Sequence, residues 1–282
     1  MKKKKTPLLF TLLLLMNISC SEFDNSQDIG IDAVSVADSI SYPDLVSDSI
    51  IETTATIEKS DSLSTRKYIY LTIDDAPLNG SMYIDSIISS EKIKTSLFVV
   101  GNAIDGSSRF SRYYKMLQQN PNIEIYNHSY SHANNRYVDF YKNPELVLED
   151  FDKNQSDFDI THKITRLPGR NLWQIGERKK NYNQTGATSA DLLVKNGYKV
   201  FGWDVEWNYD AKDYMPKQTI DELVEEIEAS YNSSRTFTAN HVVLLMHDQM
   251  FAKVGEKNDL RELITKLKDN NYCFEYLSAY PE

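Results

Sequence analysis

The sequence predicts an α/β fold built on a parallel sheet, and three observations carry the prediction. From Arg66 onward, short apolar runs alternate with helical patterns, which makes parallel strands joined by right-handed crossovers. Polar, chemistry-bearing residues repeatedly follow the apolar runs, and a (β/α) barrel places its active site at the C-terminal ends of its strands. About 217 residues follow from Arg66, enough for the core of one domain. A doubly wound open sheet would show the same alternation. No internal repeat is present.

The elements follow in order. Strands are expected at 68–73, 97–100, 123–126, 163–166, 199–203, 242–246 and 273–276. The first, Tyr68-Ile-Tyr-Leu-Thr-Ile73, is rich in β-branched and aromatic residues, as strands are. Helices are expected at about 82–91, 109–120, 144–158, 189–196, 219–230 and 258–270. Pro144 stands where a first-turn proline is tolerated, and Gly197 follows Leu192-Leu193-Val194 as a C-terminal stop. Loops at 101–110, 133–143 and 170–189 carry no readable code.

Chemistry sits at the strand ends. Asp74-Asp75 closes the first strand, and His128-x-x-x-His132 leaves the third. Two histidines four apart on a first helical turn would face the same way. An Asp-Asp pair alone is usually a solvated turn, and a spaced histidine pair alone is often surface decoration. The chain has only five histidines, however, and a third, His247, ends another apolar strand beside Asp248. Asp75, His128 and His132 would make a three-ligand site for a divalent ion, with zinc the default and cobalt, nickel or iron also suited to two histidines and a carboxylate. Such an ion polarises an acyl carbonyl and acidifies water. Asp74 cannot easily share its neighbour's coordination position and is better placed as general base. His247 would be the general acid, which calls for a carboxylate partner to keep it cationic. Arg166 ends a short strand and should have a carboxylate nearby if it is buried. His162 and His241 lack motif context and read as structural or exposed.

Read together as TIDDAP, HSYSH, RLPGR, WDVEW and LMHD, these segments span Thr72 to Asp248. In that order they resemble the motifs of the polysaccharide deacetylases of the NodB-homology type, carbohydrate esterase family 4. The resemblance implies a distorted (β/α) barrel of about seven parallel strands. It assigns Asp74 as base and Asp75 as metal ligand. It pairs Arg166 with the base carboxylate and Glu206 with His247, with Asp204 as the alternative partner. Leu245 and Trp207 look like walls of a small acetyl pocket, although each could equally be plain core. The backbone N–H after Pro168 could stabilise an oxyanion. Two departures stand out. Ala76 replaces the usual glycine, which asks a Cβ to fit a tight turn, and RLPGR lacks the aromatic that many members carry after the proline.

The ends of the chain bear on location. Residues 1–20 combine four lysines, a short apolar stretch and Cys20, which reads as a bacterial lipoprotein signal with Cys20 acylated. Residues 21–65, rich in Ser, Asp and Thr, read as a flexible tether averaging roughly 35–40 Å end to end; a short strand around 40–51 is the one ordered alternative. The catalytic domain is expected at 66–282, monomeric and anchored to a membrane with its active face periplasmic or extracellular. Cys273 reads as a core strand residue, and with Cys20 acylated no disulfide is expected. Residues 1–19 hold four lysines and no acid, so their removal takes the net charge from −10 to −14. Such a surface does not suit nucleic acid. The expected partner is an acetylated glycan and the expected reaction is N-deacetylation of an N-acetylglucosamine-containing polymer such as peptidoglycan. O-acetyl ester hydrolysis on xylan, cyclic amide hydrolysis and a silent glycan-binding lipoprotein are the alternatives.

Overall fold

The computed structural model describes residues 66–282. Cys20, the tether and the 40–51 segment lie outside them. Strands run β1 Lys67–Ala76, β2 Thr95–Val99, β3 Ile123–Asn127, β4 Ile164–Thr165, β5 Trp173–Ile175, β6 Arg178–Lys180, β7 Lys199–Val200, β8 Val205–Glu206, β9 His241–His247 and β10 Tyr272–Phe274. Helices run α1 Ser81–Glu91, α2 Gly101–Asp105, α3 Ser108–Gln119, α4 Tyr137–Phe140, α5 Pro144–Asp157, α6 Ala187–Lys195, α7 Ile220–Asn232 and α8 Leu260–Asp269. All seven expected strands and all six expected helices are present. The sequence reading missed the hairpin β5–β6, strand β8 and the short helices α2 and α4. Elements of two to five residues are too short for a periodic pattern to declare itself.

The sheet order is β6-β5-β7-β4-β3-β2-β1-β9-β8, with β10 added against β1. All pairings are parallel except those of the hairpin. The sheet curls into a half-barrel and, among the described residues, no ladder joins its two ends, so the barrel expectation holds in its distorted form. β1 is the hub: β9 pairs along Tyr68–Asp74, β2 pairs toward the C-terminal end, and β10 pairs with Lys67–Ile69. That position explains its largely apolar run from Tyr68 to Ile73, since both of its faces are covered.

Alternation along the strands sorts the core into two faces. Ile69, Leu71 and Ile73 pack outward with helix residues such as Ile84, Leu223 and Leu263. Tyr70 points inward with Phe98, Tyr126, Ile164, Phe201 and Val243. Two residues further along each strand the interior turns polar. Thr72 and Asp74 follow Tyr70, His128 follows Tyr126, Arg166 follows Ile164, and Leu245 and His247 follow Val243. The barrel floor is therefore aromatic and its upper rim carries the chemistry. His241 belongs to the floor: it stacks on Tyr68 at 4.7 Å and meets the Tyr70 hydroxyl at 2.8 Å. Burial pulls its pKa down to about 4, so it is structural. His162 stands at the surface. Cys273 lies in β10, half-buried.

Helix ends are set by local chemistry. Asn143 caps α5 ahead of Pro144, and Thr219 with Glu222 forms a capping box on α7. Buried Asp248 accepts the Leu78 and Gly80 amides and the Ser81 hydroxyl, fastening the β1–α1 turn to the end of β9. Gly80 lets this happen, because a Cβ there would fall 2.0 Å from the Asp248 carbonyl oxygen. Gly80→Ala should cost about 2–3 kcal/mol, an overpacking penalty against backbone that cannot swing away. A urea midpoint unchanged from wild type would show that the turn has slack. Among the described residues, no helix is long and apolar enough to cross a membrane.

Candidate active site

An open cleft of about 1070 Å³ lies at the C-terminal ends of the strands. Asp74, Asp75, His128, His132, Glu206, Leu245 and His247 all line it. Adjacent strand residues normally face opposite sides, yet Asp74 and Asp75 both reach the cleft. Asp75 manages this with φ +66°, a left-handed conformation that breaks the alternation. Ala76 then resumes the strand, buried in the outward core opposite Val99. Asp75 thus bears the conformational burden of the turn, and the Ala76 Cβ is accommodated.

Asp75, His128 and His132 bring their ligand atoms within 4.8 Å of one another. Asp75 Oδ1 lies 3.0 Å from His132 Nε2 and 3.6 Å from His128 Nε2. The His132 approach lacks hydrogen-bond alignment, which leaves Oδ1 buried without a donor. The His128 tautomer is fixed from behind: Nδ1 sits 2.9 Å from the Arg166 carbonyl, which can only accept. The Nε2 lone pair is therefore directed at the cluster. Burial raises the Asp75 carboxyl, but the two histidines pull it down further, to below the usual carboxylate range. Burial pushes the His128 imidazole down against the pull of Asp74. An orphaned carboxylate oxygen facing two imidazole nitrogens fits a divalent cation, and these three residues could hold one.

The histidine pair does not ride on a helical turn as expected. His128 continues inward from β3, and Ser129 at φ +66° redirects the chain. His132 through Asn135 then all take left-handed φ values, between +46° and +58°. The two rings converge, with centroids 5.2 Å apart, through this irregular loop.

Arg166 is fully buried and fully satisfied. Its Nη1 donates to Asp74 Oδ1 and to the Thr72 hydroxyl, each at 2.8 Å, and its Nη2 donates to the Gly202 carbonyl at 2.8 Å. The guanidinium lies 4.4 Å from the Phe98 ring centroid. Burial lowers its pKa, opposed chiefly by Asp74. The other Asp74 oxygen, Oδ2, lies 3.5 Å from His128 Nε2. Arg166→Ala would leave Asp74 buried without its countercharge, at an expected cost of about 3–5 kcal/mol. A denaturation midpoint showing a loss under about 1 kcal/mol would mean Asp74 finds solvent instead.

His247 stands beside Asp74 in the β1–β9 register. Its Nδ1 is buried without a hydrogen bond, leaving Nε2 as the nitrogen accessible in the cleft. The carboxylate partner expected for it is not joined to it. Glu206 lines the cleft without a bond to His247, and its charge supports Arg166 instead. Asp204 is committed elsewhere, accepting the Phe237 and Val243 amides at 2.8 and 3.0 Å; burial raises its pKa to about 6. What touches the His247 ring is Tyr209, edge-on at 4.9 Å.

One further expectation is corrected. Trp207 is wholly buried in the outward core and donates to the Gln218 carbonyl at 3.2 Å, so it does not wall the cleft. Glu206 and Trp207 are neighbours near a regular strand and cannot share a face. Pro168 is itself buried, its carbonyl accepting from Tyr141, while Gly169, which carries the backbone N–H after it, lines the cleft. Tyr137, Tyr209, Trp203 and Asn134 line the cleft and were missed. Trp203 opens the WDVEW segment and could have been found there, whereas the other three come from stretches whose sequence has no period.

Residues 62–168 match the family model described as polysaccharide deacetylase. Over these residues the chain is similar to the polysaccharide deacetylases. It is 24% identical to the chitin disaccharide deacetylase of Vibrio alginolyticus over 208 residues, covering 51% of this chain and 48% of that protein. It therefore spans about half the length of that relative. The fold matches a carbohydrate esterase family 4 enzyme of Streptococcus mutans with a TM-score of 0.57 at 18% identity, covering 79% of this chain and 90% of the other. It also matches a Bacillus anthracis protein described as a family 4 pseudoenzyme, with a TM-score of 0.52 at 18% identity, covering 76% and 65%. The curated relative is described as a deacetylase, and the pseudoenzyme shows that this fold alone does not guarantee turnover.

Proposed function

We propose that the domain removes acetyl groups from a glycan with the help of a divalent metal, and that its preferred reaction is N-deacetylation of an N-acetylglucosamine-containing polymer. The observation that carries the reading is the convergence of Asp75, His128 and His132 with the Arg166-bound Asp74 and His247 in one cleft. Asp75, His128 and His132 would hold the ion, zinc by default, which when bound supplies Lewis acidity to the acyl carbonyl and the attacking water. Asp74 accepts the water's proton at Oδ2, while Arg166 fixes its Oδ1 and orients the carboxylate. His247 donates from Nε2 to the departing amine. Leu245, on the inner face two residues before His247, lines the space for the acetyl methyl. The kinship with a chitin disaccharide deacetylase supports an N-acetyl substrate.

The test is acetate release by the full chain, zinc-loaded and chelator-stripped, over N-acetylglucosamine oligomers, peptidoglycan and acetylated xylan. Metal-dependent release from the amino-sugar substrates is the expected result. Release from xylan alone would make it an O-acetyl esterase. No release from any substrate, with one metal bound per chain, would place it with the silent members of the fold.

The N-terminal sequence supports export and acylation at Cys20, with the catalytic domain tethered outside the cytoplasm. Cys20→Ser should abolish lipid labelling and free the protein from membranes; unchanged labelling would refute the anchor.

A further inference from the structure

Beside the cleft lies a second cavity of about 360 Å³, lined by Asn135, Arg136, Tyr137, Val138, Asp139 and Arg170. Asn135 and Tyr137 line both cavities, so the two adjoin. Their shared wall is built closely. Gly169 has φ +65°, and a Cβ there would lie 3.2 Å from the Tyr137 ring, which itself stands edge-on to His132 at 5.8 Å. The second cavity therefore opens beside the cleft on the far side of Tyr137.

The second cavity differs in charge from the rest of the protein. The chain as a whole is at −10, and the main cleft presents Asp74, Asp75 and Glu206. Arg170 is held rigidly by neutral partners: Nε donates to the Thr185 hydroxyl and carbonyl at 2.8 and 3.0 Å, and Nη1 donates to the Gly169 carbonyl at 2.7 Å. Its guanidinium also lies 5.1 Å from the Tyr141 ring centroid and 5.8 Å from that of Tyr137. Arg136 is exposed. Among the described residues, neither arginine has a carboxylate within 4.0 Å. The single acid in the lining, Asp139, is taken by Lys142 at 2.7 Å. Two guanidinium groups without acidic partners, one of them fixed in place, line this cavity, and a guanidinium fork binds a planar anion through two parallel hydrogen bonds.

We propose that this cavity is an accessory subsite for a carboxylate carried on the sugar next to the one being deacetylated, so that the preferred polymer is an acidic amino-sugar chain and not a neutral one. The inference rests on the glycan reading above. Arg136 supplies the free charge and Arg170 the fixed one. Tyr137 separates the carboxylate from the acetyl-processing residues and keeps it away from Asp74 and Asp75, which would repel it.

The test is calorimetric binding to the full chain, stripped of metal so that nothing turns over. The two probes are a tetramer of N-acetylglucosamine and a tetramer alternating N-acetylglucosamine with N-acetylmuramic acid, whose lactyl groups carry carboxylates. The acidic tetramer should bind about tenfold more tightly at low ionic strength, the preference shrinking as salt is added. Arg136→Gln, at an exposed side chain that holds nothing else in place, should reduce the preference to about twofold or less. The same change at Arg112, exposed on α3 and outside both cavities, should leave it intact. Equal binding of the two tetramers by wild type, or a preference that survives Arg136→Gln, overturns the subsite and leaves the deacetylase reading standing. Binding of neither tetramer overturns the glycan reading and the subsite with it.

Discussion

Asp75→Ala and His128→Ala are each expected to lower metal affinity by at least about 100-fold. Losing a residue that merely orients a ligand already costs about 10–100-fold, and these changes remove a ligand outright. The structure gives each variant a distinct physical consequence. Without Asp75, the two imidazole nitrogens face each other with no negative charge between them; burial depresses the His132 pKa, and the carboxylate that overrides burial there is gone. Without His128, the bond from its Nδ1 to the Arg166 carbonyl is lost as well, so the strand end carrying Arg166 loosens along with the site. Metal content per chain after dialysis against a weak chelator is the readout. Stoichiometric metal in either variant would refute the ligand assignment whatever happened to activity.

Asp74→Asn should keep the metal and lose turnover by about 10²–10⁴-fold, the usual contribution of a positioned general base. The amide oxygen can still accept from Arg166 Nη1, so the geometry behind the site survives. What disappears is the basic Oδ2 that faces His128 Nε2 at 3.5 Å. The buried guanidinium also loses its countercharge, so thermal stability should fall along with activity. The two effects separate experimentally: a folded Asp74→Asn protein with full metal and no acetate release isolates the base. Retained turnover in that variant would mean that another group takes the proton.

Much of this site was legible in one dimension because strands alternate. Counting by twos from an inward aromatic such as Tyr70 arrives at Asp74, and the same count from Val243 arrives at Leu245 and His247. Arg166 follows Ile164 by the same rule, and its need for an acid was readable from the cost of burying a lone charge. That rule should also have warned that Glu206 and Trp207 cannot both face the cleft. It could not have foreseen that Asp75 would escape alternation, since φ +66° at a non-glycine residue is imposed by surrounding structure and not by the residue itself. Nor could spacing show how His128 and His132 converge. A four-residue gap suggests a helix, and the chain achieves the same end with a left-handed run through Asn135.

The sequence by itself determined the α/β alternation, the parallel sheet, the positions of the long helices and the six cleft residues that end strands or follow them directly. Those properties are local: hydrophobic period, capping residues and the placement of polar groups after apolar runs are written within a few residues of where they act. The tertiary structure alone decided what His247 touches, which charge Glu206 serves, that Trp207 and Pro168 are buried, and that Tyr137 leans over Gly169 between two cavities. These are contacts between segments tens of residues apart, such as Arg166 with Asp74 or Tyr209 with His247. They depend on how the sheet curls and where the loops come to rest, which packing over the whole domain determines and no short window of sequence encodes.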